Sequence, residues 1–304
     1  MKILAIADVH IDPDLPGACQ DFIARVEDEP PDVLVVAGDL AVGKSAVYET
    51  LLAHCAFFTG PKLFVPGNHD LWQLYSKRAT WQRYQQDLPD AVTAVGWHYL
   101  DLGPTLVGDV AFIGCLGWYD YSLRQTASPR PDLRVSPAQV TAPGRGMKVM
   151  AARAHVPWTE LTDEDYAARA LQVGDDNVME GIVWNDAFYT DWGRSDAEMT
   201  QYFCDRLREQ AQQVARRARQ LVVITHFVPF AETLRDYTET GPAYARAFAG
   251  SVKLGETIQS LPHVRVAIFG HWHQPGRWQI GNLQAYNVSA KNGPAEGTLI
   301  TLQD

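Results

Sequence analysis

Five short apolar runs, each breaking off into the same few polar residues, constrain this 304-residue chain more than anything else in it. The first, KILAIAD (2–8), leads into Val9-His10. The second, DVLVVAGD (32–39), ends in Gly38-Asp39, and the third, KLFVPGNHD (62–70), in Gly67-Asn68-His69-Asp70. LVVITH (221–226) ends in His226, and RVAIFGH (265–271) continues through Trp272 to His273. Runs without polar alternation are the pattern of strands buried on both faces. Helical patterns separate the first three runs. Cys19–Glu27 is one, and Ser45–Phe58 is a second, with Val47, Leu51, Leu52 and Cys55 on one face. Leu71–Asp87 is a third, which Pro89 should halt. Strand–helix–strand at this spacing implies parallel strands joined by right-handed crossovers. Ligands of open α/β sheets bind beyond the carboxyl ends of the strands. The five polar clusters therefore fall on one rim, together with five of the nine histidines.

The residue types on that rim are those of a transition-metal site. Mixed imidazole and carboxylate donors suit Mn, Fe, Zn or Co better than Mg or Ca. Asp8 and His10 stand two apart, so a bend after the strand can turn both towards one ion. His271 and His273 share that spacing and can serve two neighbouring ions. Asp39, alone at its strand end, is placed to bridge a metal pair, and Asn68 offers a neutral oxygen. Taken singly, each cluster has a plain explanation. A Gly-Asp after a strand is usually a turn or a helix cap, and a lone histidine there is usually a satisfied surface or core residue. Five clusters in order, each at a strand end, are not explained that way.

Taken together, D-x-H, G-D, G-N-H-D, H and G-H-x-H resemble the calcineurin-like metallophosphoesterase superfamily, over Met1 to about Asn287 with the middle of the chain, about 121–196, outside the resemblance. The resemblance implies an α/β fold, a four-layer α/β/β/α sandwich of two mixed sheets, with a dinuclear metal site. It implies one divalent ion held by Asp8, His10, Asp39 and His273 and another held by Asp39, Asn68, His226 and His271, with manganese preferred. It further implies that a hydroxide bridging the ions attacks phosphorus in line. His69 would then assist the leaving oxygen, and Asp70 would orient His69. Many relatives have Glu where this chain has Asp70. The purple acid phosphatase branch has a metal-binding tyrosine three residues after the bridging Asp. Val42 stands there, which argues against that branch.

Gly38–Ser45 also fits GxxxxGK[ST], a phosphate-cradling loop between strand and helix. That alternative leaves the other four clusters without a purpose, and no later strand supplies a second magnesium anchor. On the phosphoesterase reading, Gly43-Lys44-Ser45 merely starts a helix, with Ser45 a candidate cap.

The domain organisation expected is one domain over 1–304 carrying an insertion or lid at 121–196. Charge in the insertion is sorted: 121–158 nets +5 and 159–200 nets −9, against −10 for the whole chain. After residue 91 the rhythm suggests short antiparallel strands, and the C-terminus reads as a closing meander with a hairpin turn at Gly281-Asn282. Trp118, Tyr119, Tyr121 and Arg124, with Asn68, are candidate substrate contacts. Trp72, Trp272, Trp184-Asn185-Asp186 and Tyr189–Trp192 add further rings and amides. The plainer role for most of these rings is packing the insertion on the core. The arginines of about Asp196–Gln220 fit a solvated helix face better than a nucleic-acid patch.

Composition sets outer limits. Ordinary hydrophobicity with 11% aromatics excludes disorder as the main state. Four dispersed cysteines exclude a disulfide scaffold. A −10 balance disfavours duplex nucleic acid as a partner. No apolar stretch approaches a membrane span and no signal peptide is evident, so a cytoplasmic protein is expected. The expected activity is hydrolysis of a phosphoester, a phosphodiester of a small, nucleotide-like molecule before a phosphomonoester or phosphoprotein. A metal-binding module without catalysis is the alternative of a different class, and it is disfavoured because no ligand position is lost.

Overall fold

The computed structural model describes residues 1–11, 19–41, 52–72, 80–131, 133–141, 148–152, 154–174, 179–290 and 296–303. Val42, Lys44 and Ser45, the N-terminal part of the helix expected over 45–58, and residues 73–79 of the next lie outside them.

Among the described residues the strands form three sheets. In the first, β1 (Lys2–Ile6), β2 (Val33–Ala37), β3 (Lys62–Val65) and β4 (His98–Tyr99) run parallel. In the second, β6 (Val110–Cys115), β12 (Gln220–Thr225), β13 (Val264–Phe269) and β15 (Leu283–Asn287) run parallel. β5 (Thr105–Val107) and β14 (Gly276–Ile280) border them antiparallel. The two-residue periodicity of a strand explains the unbroken apolar runs. Ile3, Ala5, Val33, Val35, Leu63 and Val65 face the second sheet, meeting Phe112, Val222, Ile224, Val266 and Ile268. The alternate residues Leu4, Ile6, Leu34, Val36 and Phe64 face outward with Phe22 and Val26 of the helix Gln20–Asp28. On the far side Ile113, Val223 and Phe269 lie with the helices Asp196–Val214 and Val252–Ser260. The result is the mixed α/β/β/α sandwich.

Three local expectations change. Pro89 does not halt a helix: it sits in the first turn of Leu88–Ala94, directly after a π-helical stretch, Arg83–Asp87. Thr80–Ala94 is helical throughout, and the chain continues through the proline just after the π-helical stretch. Ala91–Ala94 is accordingly helical, not strand. The C-terminus makes no meander. β14 and β15 do form a hairpin around Gly281, but β16 (Thr298–Thr301) crosses to the first sheet and pairs antiparallel with β1.

Residues 121–196 build the third sheet: β7 (Arg134–Thr141), β8 (Lys148–Ala151), β9 (Val156–Pro157), β10 (Ala170–Gly174) and β11 (Met179–Val183). Their chain returns to the sandwich through Trp184–Tyr189, which meets the carboxyl-end rim at His271, Asn68 and Trp72. Among the described residues no helix is long and apolar enough to cross a membrane.

Candidate metal centre

The strand ends converge as the topology requires. From the first sheet come Asp8 and His10 after β1, Asp39 after β2, and Asn68 and His69 after β3. From the second come His226 after β12 and His271 and His273 after β13. Five of these residues, Asp8, His10, Asp39, His271 and His273, have φ between 28° and 69°, although none is glycine. Such backbone is rare outside glycine and persists only where the surroundings hold it. Close approach depends on glycine. A Cβ on Gly67 would lie 2.0 Å from Asp39 Oδ1, and one on Gly270 would lie 2.6 Å from Asp8 Oδ2.

Hydrogen bonds fix which atom each ligand candidate presents. His226 Nδ1 lies 3.0 Å from the Ala37 carbonyl, which can only accept, so Nδ1 carries the proton and Nε2 faces the centre. His271 Nε2 is likewise tied to the Phe248 carbonyl at 3.1 Å, leaving Nδ1 inward. His271 Nδ1 and His226 Nε2 then face each other at 3.2 Å, with Asn68 Oδ1 3.2 Å and Asp39 Oδ1 3.4 Å from the same Nε2. A second group gathers beside the first. His10 Nε2 and His273 Nε2 are 3.1 Å apart, His10 Nε2 is 3.8 Å from Asp39 Oδ2, and His273 Nε2 is 3.8 Å from Asp8 Oδ1. Lone pairs aimed at one another repel unless a positive charge stands between them. These donor sets therefore fit divalent cations, and Asp39 offers one oxygen to each group.

Electrostatics agrees with that fit. Asp8, Asp39, His226 and His271 are buried. Burial pushes the Asp8 carboxyl up, and neighbouring Asp39 adds to the effect. Asp39 is equally buried, yet His226, His69 and His10 hold its carboxyl well below the ordinary range. Burial opposes a charge on His226, but Asp39 and Asp8 outweigh it and raise this imidazole to about 9. Burial and the charge of His226 hold His271 down, and burial lowers His10 to about 4. In the metal-free protein a proton on His226 thus stands where a cation would serve both carboxylates.

His69 lies at the edge of this centre, with Nε2 3.8 Å from Asp39 Oδ2 and about a quarter of its side chain exposed. Its ring stacks on Trp72 at 3.6 Å between centroids. Asp70, expected to orient His69, is bonded to backbone. Its carboxylate accepts from the backbone N–H groups of Gly67, Asp39, Leu40 and Ala41 at 2.7 to 3.1 Å. It thereby clamps the loop after β3 to the loop after β2, and the ring against His69 is Trp72.

Of the other expected substrate contacts, Trp118 and Tyr119 have no exposed surface and Tyr121 has almost none. Trp118 Nε1 donates to Asp196 at 2.7 Å, Tyr121 Oη donates to the same carboxylate, and Tyr119 packs on Phe227 and Phe248. Arg124 pairs with Asp163 at 2.7 Å. Trp118 and Tyr121 fasten the start of the helix Asp196–Val214, Tyr119 packs inside the sandwich, and Arg124 pairs within residues 121–196, so none of the three rings lines an open cleft.

Nothing in the sequence pattern marks Ser289, which donates to Asp8 Oδ2 at 2.7 Å beside the His271 N–H at 2.8 Å. Asp186 stands in that pattern only among candidate lining residues. It is fully buried and touches Asn68. Neither contact has a local signature, since the partners are 281 and 118 residues apart.

Fold and centre together define a metal-dependent hydrolase of phosphoric esters. The chain belongs to the calcineurin-like phosphoesterase family, whose profile matches residues 1–275. No curated protein matches it significantly. Among solved structures it is similar to phosphopantetheinyl hydrolase from Mycobacterium tuberculosis, at 16% identity and TM-score 0.64, covering 98% of this chain and 95% of that one. It is also similar to TT1561 of Thermus thermophilus, at 13% identity and TM-score 0.50, covering 97% and 90%.

Proposed function

We propose that this protein is a dinuclear phosphodiesterase acting on a small molecule. Asp8, His10, Asp39 and His273 would hold one ion, and Asp39, Asn68, His226 and His271 the other, with manganese the first choice for mixed nitrogen and oxygen donors. The observation that carries this is the pair of inward nitrogens of His226 and His271, each locked by a backbone carbonyl on its other side and only 3.2 Å apart. When bound, two such ions supply an activated water and neutralise charge on phosphorus. His69, on the open edge of the centre, would protonate the leaving oxygen. Trp72 would keep the His69 ring aimed, and the Asp70 clamp would keep Asp39 between the ions.

The preference for a diester rests on charge. Among the described residues, the side chains acting most strongly on Asp8 are His226, Asp39 and His273 and those acting on Asp39 are His226, His69 and His10, with no Lys or Arg among them. A monoester carries one more negative charge and needs more cations around it. Tyr189 and Trp272 instead supply partly exposed rings near the centre, against which an organic group could stack. The similarity to a phosphopantetheinyl hydrolase supports a small phosphoester. Four free cysteines fit a reducing compartment such as the cytoplasm.

Metal-free protein reloaded with Mn²⁺ tests the proposal on bis-p-nitrophenyl phosphate and p-nitrophenyl phosphate. The diester should show the higher kcat/KM, by tenfold or so. A higher value for the monoester would reverse the preference, and calorimetry giving fewer than two Mn²⁺ per chain would reject the dinuclear centre.

A further inference from the structure

We infer that Asp186, carried by the insertion, is a positioning residue for Asn68 and, through Trp72, for His69, an inference that deepens the dinuclear reading and rests on it. Asp186 Oδ1 accepts from Asn68 Nδ2 at 3.1 Å and from the indole nitrogen of Trp72 at 2.6 Å. Its Oδ2 accepts from the indole nitrogen of Trp184 at 2.8 Å. All three neighbours donate, and an ionised carboxylate can only accept.

The consequence for Asn68 follows from the asymmetry of an amide. One end donates and the other accepts, and rotating the group by half a turn exchanges them. A buried carboxylate on one side fixes the NH₂ there. Oδ1 must then face His226 Nε2, where it stands at 3.2 Å. Asp186 thus selects the only amide orientation in which Asn68 can be a metal ligand. Through Trp72 the same oxygen acts on His69. The Trp72 indole is tethered at its nitrogen, and His69 stacks on its face at 3.6 Å.

Asp186 is itself held from the insertion. It begins a short helix, Asp186–Tyr189, just after β11, and its carbonyl accepts from Thr190 Oγ1 at 2.9 Å. The insertion therefore contributes to the centre through Asp186. Residues that orient metal ligands cost about 10–100-fold in affinity or activity when removed.

The test uses the full chain, Asp186→Ala and the isosteric Asp186→Asn. Calorimetric titration of metal-free protein with Mn²⁺ should show one ion weakened about 10–100-fold in Asp186→Ala and the other changed much less. In ¹⁵N-labelled, metal-free Asp186→Asn, the side-chain amide of Asn68 and the indole N–H of Trp72 should both move upfield. Wild-type affinities together with unmoved resonances would overturn the inference. So would a lowered melting temperature with both affinities intact, because that is the mark of a merely structural residue. Failure of the dinuclear reading shows separately, as wild-type protein that takes up no Mn²⁺, and the metal-free resonances then still decide whether Asp186 sets Asn68 and Trp72.

Discussion

At the residue scale, the centre depends on backbone that ordinary side chains avoid. Asp8, His10, Asp39, His271 and His273 hold left-handed φ, each costing of the order of 1–3 kcal/mol. Gly67 and Gly270 let the loops close over the carboxylates. Gly67→Ala drives a methyl into Asp39, so it should lose metal and turnover together while the helices keep their circular dichroism; near-wild-type Mn²⁺ content would refute this. Asp39→Ala should remove both ions, because each donor group loses an oxygen. His69→Ala should instead keep the metals and lower kcat about 10²–10⁴-fold, most with a poor leaving group. Metal analysis beside kinetics on esters of graded leaving-group pKa distinguishes the two. The ligand candidates were legible because strand-end chemistry is local in sequence. The clamp made by Asp70 was not legible because its four backbone partners leave no trace in residue type. Asp186 went unplaced because 118 residues separate it from Asn68.

At the element scale, strands buried on both faces announced themselves through unbroken apolar runs, and β1, β2, β3, β12 and β13 stand where those runs lie. Elements decided by partners rather than periodicity were harder to read. β16 has an ordinary apolar pattern, and only the free edge of β1 determines which sheet it joins. Pro89 was read as a stop because the π-helical turn before it has no sequence signature. Where the second sheet meets the helix Asp196–Val214, a buried acid gives a measurable consequence. Burial pushes the Asp101 carboxyl up to about 7, against hydrogen bonds from Tyr84 and the Leu116 N–H that act the other way. The fold therefore keeps this proton to higher pH than the unfolded chain does. Stability falls as pH rises from about 4 to about 7, by at most about 1.4 kcal/mol per pH unit, and the loss is complete above that window. Asp101→Asn has no charge to bury, so its stability relative to wild type should grow between pH 5 and pH 8. Urea unfolding at both values checks this, and a constant difference would refute it.

At the scale of the whole molecule, the centre straddles the seam between two sheets. Asp8, His10, Asp39 and Asn68 belong to one and His226, His271 and His273 to the other, and His10 meets His273 across 263 residues. Ions bound there would be sutures, drawn tight only after both edges of the wound have been brought together. Contacts so distant in sequence form late in folding, and an interaction absent from the transition state slows unfolding without hastening folding. Stopped-flow unfolding in denaturant should therefore be markedly slower with Mn²⁺ than with chelator, while the refolding limb stays nearly unchanged. A refolding rate that climbs with metal as steeply as unfolding falls would mean the sutures are placed first. On the expected outcome, a chain deprived of metal assembles at its usual pace but comes apart sooner, so metal supply would govern how long this protein lasts rather than whether it forms.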